Sequence, residues 1–184
     1  AISTSSVTGT SANITWTTDE NSDTQVEYGL TTAYGSSTIL NTTLATAHSQ
    51  ALSALTPATT YNYRVKSRDA AGNLATSINQ TFITSDTVAP TVSITSPTAG
   101  ATVSGTITVS ATASDNIGVS GIQFKLDGAN LGTEDVSSPY SISWDTATAI
   151  NGSHTLTAQA RDAAGNTAIS AAITVTVSND LTAP

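Results

Sequence analysis

Hydrophobic residues recur at every second position through much of this chain. Ile107, Val109, Ala111 and Ala113 alternate with Thr and Ser. The same beat runs through Ile122-Gln123-Phe124-Lys125-Leu126, Tyr140-Ser141-Ile142-Ser143-Trp144, Leu156-Thr157-Ala158-Gln159-Ala160 and Ile173-Thr174-Val175-Thr176-Val177. Side chains on an extended strand point alternately to its two faces, so a period of two predicts strands that are buried on one face and wet on the other. A shorter strand at residues 92–94 opens this half, and Asp127-Gly128 is a hairpin-turn pair. The first half carries the pattern in Ile14-Thr15-Trp16, Val26-Glu27-Tyr28 and Tyr61-Asn62-Tyr63-Arg64-Val65, then at Phe82. Less regular strands are expected near residues 2–7, 39–40 and 47–52. About seven short strands per half, punctuated by Gly, Pro, Asn and Asp, predict an all-β chain of two tandem Greek-key β-sandwiches. No stretch sustains a helical period for as much as ten residues.

Internal repetition sets the domain boundaries. Arg68-Asp69-Ala70-Ala71-Gly72-Asn73 returns unchanged as Arg161-Asp162-Ala163-Ala164-Gly165-Asn166. Asp86-Thr87-Val88-Ala89-Pro90 is echoed by Asp180-Leu181-Thr182-Ala183-Pro184. The expected division is a first module over 1–85, a second over 86–179, and the start of a linker to a further module at 180–184. Pro90 fixes its own φ and holds Ala89 extended, which makes the connection semi-rigid. A chain that starts at Ala1 with no leader is expected to be a piece of a longer array.

Composition sharpens this picture. Thr and Ser number 36 and 25 of 184 residues, whereas charged residues make up only 10%. Thr is β-branched and suits a pleated surface, while the good helix formers are scarce. Net charge is −8, and the only cations are Arg64, Lys66, Arg68, Lys125 and Arg161. That excludes the basic footprint a nucleic-acid partner requires. No run of 18 apolar residues exists, so no membrane-inserting helix is expected. With no cysteine, disulfides contribute nothing.

Particular residues then carry family resemblances. The segments Ile14-Thr15-Trp16-Thr17-Thr18-Asp19-Glu20, Val26-Glu27-Tyr28-Gly29 and Leu55-Thr56-Pro57, with Tyr61 six positions after the leucine, resemble a fibronectin type III domain. The stretch from Trp16 to Tyr28-Gly29 is most similar to the fibronectin-like module found at the front of purple acid phosphatases and in bacterial secreted proteins. The Leu55–Tyr61 spacing looks like a tyrosine corner, whose hydroxyl bonds back to nearby backbone. The phosphatase's metal-binding domain is absent here, and its activity is not implied. Val92-Ser93-Ile94-Thr95-Ser96-Pro97, Ser114-Asp115-Asn116-Ile117-Gly118-Val119, Pro139-Tyr140 and Gly152-Ser153-His154-Thr155-Leu156 resemble a bacterial immunoglobulin-like domain. Together the resemblances imply a secreted or cell-surface protein of many modules.

The chemistry available is limited. His48 and His154 fall one in each half, and each is expected to open a strand. Without a nucleophile elbow, HExxH, CxxC or phosphate loop, the chain reads as non-catalytic, with both histidines bonding local backbone. Calcium is the sharper possibility: Asp86, Asp115, Asn116 and Asp162 offer the hard oxygen ligands that Ca²⁺ takes. The competing reading makes the repeated Asp–Asn run a plain turn in which Asp bonds its own backbone and Gly takes a positive φ. Asp19, Glu20, Asp23 and Asp69 form the corresponding pole of the first module. Trp16 and Trp144 fall in strand patterns and are expected in the cores, which leaves Tyr34 as the one aromatic expected to be exposed. The expected role is a structural spacer or stalk that contacts neighbouring modules of its own polypeptide. The alternatives are an adhesive or self-associating subunit of an extracellular filament, and an accessory polysaccharide-binding module of a secreted enzyme whose partner would be a surface glycan.

Overall fold

In a computed structural model the described residues are 1–179, and the chain divides into two units, Ala1–Thr87 and a second that begins at Val88. The linker expected at 180–184 lies outside the described residues. Both units are β-sandwiches. The only helical element among the described residues is one 3₁₀ turn, Thr146–Thr148.

The first unit contains β1 (Ile2–Ser5), β2 (Ala12–Gly29), β3 (Ser36–Ser37), β4 (Asn41–Leu52), β5 (Thr60–Arg68), β6 (Leu74–Thr76) and β7 (Gln80–Ile83). Long β2 serves both layers. Its first part pairs with β1 (Ile2↔Trp16) and β4 (Trp16↔His48), and its last part pairs with β5 (Val26↔Val65) and β3 (Tyr28↔Ser36). The β2–β4 register shifts between Thr17 and Thr24, where the strand passes from one layer to the other. β7 and β6 flank the two halves of β5, through Tyr61↔Phe82 and Lys66↔Thr76.

Alternation does what the sequence requires of it. Ile14, Trp16, Val26, Leu52, Tyr61, Tyr63, Val65 and Phe82 all turn inward and form one core. Each such side chain contributes roughly 1.5–3 kcal/mol when buried. The tyrosine corner is present: Thr56 N–H donates to Tyr61 Oη at 3.0 Å. Residues 39–40, in contrast, form no strand, and Ile39 is 92% exposed. Thr38 stops the ladder, because its backbone N–H donates to Val26 O while its hydroxyl accepts the Val26 N–H. The chain then leaves for β4 with Ile39 and Leu40 unpaired.

The second unit contains β8 (Thr91–Ser96), β9 (Thr102–Val103), β10 (Thr106–Ser114), β11 (Val119–Leu126), β12 (Ala129–Asn130), β13 (Ser141–Asp145), β14 (Gly152–Asp162), β15 (Thr167–Ile169) and β16 (Ile173–Val177). One sheet runs β13-β10-β8, the other β12-β11-β14-β16-β9, with β15 on β14. Val109, Ile122, Phe124, Trp144, Leu156, Val175 and Val177 fill the space between them, each at most 1% exposed. Asp127-Gly128 forms the expected two-residue hairpin. Both residues have positive φ (50° and 83°), the mirror-image turn that matches strand twist. Among the described residues no helix is long and apolar enough to cross a membrane.

Candidate functional site

The repeated hexapeptide is a closed turn in both units. Asp69 Oδ1 accepts the Asn73 backbone N–H at 2.8 Å, and its Oδ2 accepts the Asn73 side-chain amide at 2.6 Å. Asp162 holds Asn166 in the same way, at 2.8 and 2.7 Å. Gly72 and Gly165 sit at φ +94° and +93°, where a Cβ is disfavoured. One local duty therefore accounts for both copies. These bonds hold both carboxyls below the usual carboxylate range. At Asp69 the Asn73 side chain dominates. At Asp162 burial pushes upward, but the Asn166 amides and the N–H groups of Gly165 and Ala164 outweigh it.

The surroundings of the second copy differ from those of the first. Asp162 is 2% exposed. Asp115, in the turn between β10 and β11, accepts N–H bonds from Ile117 and Gly118 on Oδ2, at 2.9 and 3.0 Å. Its Oδ1 is buried without a hydrogen-bond partner. A carboxylate oxygen of Asp115 lies within 4.8 Å of one from Asp162. Two like charges this close repel each other, and a buried acceptor without a donor is costly. A hard divalent cation offsets both, and an all-oxygen donor set suits Ca²⁺. Asn116 follows Asp115 and is exposed, whereas Asp86 belongs to the first unit, three residues beyond β7 and partly buried. In the first unit Asp23 Oδ1 is engaged by the Arg68 N–H at 2.7 Å. Asp19, Glu20 and Asp69 line a cleft of about 180 Å³, and no comparable grouping of metal-ligand side chains forms there among the described residues.

The histidines have structural roles. His48 lies inside β4 and not near its start; it is 4% exposed and stacks on Trp16 with centroids 4.9 Å apart. It bonds hydroxyls, not backbone. Thr18 gives its proton to Glu20 O, and Ser22 gives its proton to Thr18 Oγ1. Neither hydroxyl can then donate to His48 Nε2, so that nitrogen carries the proton and donates to them across 3.0 and 3.3 Å. Nδ1 consequently accepts from Thr24 Oγ1 at 2.7 Å. A ring in this tautomer cannot take the Ser22 proton as a general base. Burial lowers the His48 pKa, opposed by the charge of Asp23. His154 is the opposite case, since both ring nitrogens face acceptors: Asp127 Oδ2 at 2.6 Å and Ile150 O at 2.8 Å. The Asp127 bond, then the Ile150 carbonyl, raises its pKa.

Trp16 and Trp144 are buried, at 4% and 1% exposure. Tyr34 is only partly exposed, because the Arg64 guanidinium lies 4.7 Å from its ring centroid. Arg64 Nε also donates to Glu27 Oε2 at 2.6 Å, and Lys66 Nζ donates to Glu27 Oε1 at 3.0 Å. Burial raises the Glu27 pKa, but these two cations bring it below its ordinary value. Sequence reasoning missed this cluster. Its signal was the outward alternation of Arg64 and Lys66 on β5, which pairs with Glu27 only once the Glu27↔Arg64 register is known.

Comparison with known proteins agrees with these folds. Residues 1–83 match the fibronectin type III domain, and residues 90–158 match the bacterial Ig domain. Chitinase A1 of Niallia circulans is 33% identical over 186 residues, which cover 97% of this chain but only 25% of that protein. Among solved structures, the fibronectin(III)-like modules of Clostridium thermocellum CbhA share 21% identity with a TM-score of 0.48, covering 97% of this chain and 95% of that one. Murine CEACAM1b shares 13% identity with a TM-score of 0.51, covering 97% and 99%. The chain is thus a fibronectin type III-like domain followed by a bacterial immunoglobulin-like domain.

Proposed function

We propose that this pair of modules is a non-catalytic spacer in a secreted or cell-surface protein of many modules, setting the distance between parts that bind or react. The observation that carries this reading is the match to chitinase A1, in which nearly all of this chain corresponds to a quarter of the enzyme. The engaged histidines support it, because neither ring is free to act as a base on a neighbouring hydroxyl. Folded sandwiches of this kind resist compression better than a flexible linker of equal length. Within the second unit, Asp115 and Asp162 are proposed to hold Ca²⁺, which would stiffen the loops at that end of the module.

A self-associating filament subunit is the competing reading, favoured by the exposed side chains Ile39, Ile78 and Ile150 at 92, 80 and 80%. Static light scattering across a wide concentration range separates the two. The spacer reading expects a monomer throughout, with no hydrolysis of soluble or insoluble glycans by the purified chain. Growth of mass with concentration supports the filament, and turnover of any glycan contradicts both.

A further inference from the structure

We propose that under tension this chain is a two-stage tether, in which the first unit yields first and the second is held by a clamp of β9, β16 and Asn179. The inference rests on the spacer reading, since a spacer carries whatever load acts between the parts it separates.

Each unit receives such a load along its strands. In the second, Thr91 at the start of β8 lies opposite Ser114, the last residue of β10. The turn after Ser114 leads to Val119, which lies opposite Asp162 at the end of β14. Val177, at the end of β16, lies opposite Gly152 at the start of β14. In the first unit, Ile2 lies opposite Trp16, whose indole donates to Ser67 near the end of β5, whereas Ile83 lies opposite Thr60 at its start. The chain therefore enters and leaves each sandwich at opposite ends. Tension then slides the terminal strands lengthwise, which loads all bonds of a ladder together instead of one at a time.

The two units differ in how those strands are held. Among the described residues β7 is paired on one edge only, to β5, and no ladder joins β1 to β6 or β7. One backbone bond links the segment after β1 to the segment after β7, from Ser85 N–H to Thr8 O at 3.1 Å. In contrast, β16 is paired on both edges, antiparallel to β14 and parallel to β9. Because β9 belongs to the entering segment, pulling the two ends drags β9 and β16 past each other. Three bonds between these segments oppose that: Gly100 N–H to Thr174 O at 2.7 Å, Thr176 N–H to Ala101 O at 2.8 Å, and Ser178 N–H to Val103 O at 3.0 Å. Asn179 extends the clamp. Its Nδ2 donates to Thr146 O at 3.0 Å, and its Oδ1 accepts the Gly105 N–H at 3.2 Å. Its backbone N–H and O bond the Asn151 side chain at 2.8 and 3.0 Å. Thr146 is fully buried, so Asn179 is anchored to the core.

Forced unfolding follows the unfolding rate. The test is therefore single-molecule force spectroscopy of the whole chain, gripped at its two ends and held at constant force. Two unfolding steps of clearly different rate are expected. Trp16→Ala should speed or abolish the faster step alone. Asn179→Ala and Asn151→Ala should each speed the slower step about tenfold or more and leave the faster one unchanged. Steps of equal rate, a slower step that responds to Trp16→Ala, or a slower step unchanged in both asparagine variants would each overturn the proposal. A monomer by light scattering whose steps have equal rates would overturn it and leave the spacer reading intact.

Discussion

Replacing Tyr61 by Phe isolates one hydrogen bond at the tyrosine corner. The Tyr61 ring is 7% exposed and stacks on Phe82 with centroids 5.6 Å apart at 15°. Phe retains that packing and loses only the acceptor for the Thr56 N–H, now at 3.0 Å. Losing a neutral bond of this kind costs about 1–2 kcal/mol. Thr56 itself is exposed, so water can partly replace Tyr61 and the lower end is expected. For a module of this size, a loss of 1 kcal/mol lowers Tm by about 4–8 °C. Calorimetry together with urea titration should show one transition moving by that amount at unchanged m-value, while the transition of the second unit stays in place. A shift equivalent to less than about 0.3 kcal/mol would mean the corner bond is not stabilising, and one above about 4 kcal/mol would mean the ring had repacked.

The remaining predictions concern pH, turns, metal and core. His48 has a lowered pKa, so its contribution to the first unit is present above the ordinary value of 6.5 and is lost as pH falls through the folded value. His154 has a raised pKa, so its contribution to the second unit is full below 6.5 and fades as pH climbs through the folded value. Between pH 8 and the acid side of 6.5, the two melting transitions should therefore move in opposite directions, and parallel movement would contradict the assigned hydrogen bonds. Gly72→Ala and Gly165→Ala should each destabilise their own unit by about 1 kcal/mol, because the two turns have the same geometry; a clear difference in urea midpoints would show that they do not share one role. Calcium should raise the second unit's Tm relative to chelator, and Asp115→Ala should abolish the difference; identical melting of the wild type in both conditions would remove the metal proposal. Trp16→Ala and Trp144→Ala should each cost about 3–5 kcal/mol, checked by chemical denaturation.

The strands were legible because burial on one face imposes a period of two, and most inward positions read from that period are the observed core. Residues 39–40 failed because two apolar residues in a row look the same in a strand and in a crossover; only the Thr38–Val26 bonds show where the ladder ends. The repeated hexapeptide was legible as a turn, since Asp, Gly and Asn each have a local reason to be there. Groups paired across long sequence separations were not. His48 meets Thr24 across 24 residues and His154 meets Asp127 across 27, so their hydrogen-bond partners depend on register that no local pattern encodes. Tyr34 looked exposed because Arg64, 30 positions later, could not be placed over it from sequence. The acidic residues Asp19, Glu20 and Asp23 read as a loop pole, yet they lie within continuous β2, where Asp23 is engaged by a backbone N–H.

The most direct test of the spacer reading is a linker exchange. A chitin-hydrolysing catalytic domain is joined to a chitin-binding module through this chain or through a Gly/Ser segment of equal residue count, and hydrolysis of insoluble chitin is compared with that of a soluble substrate. The account predicts equal rates on the soluble substrate and a higher rate on insoluble chitin with the folded modules. Equal rates on both substrates would contradict it.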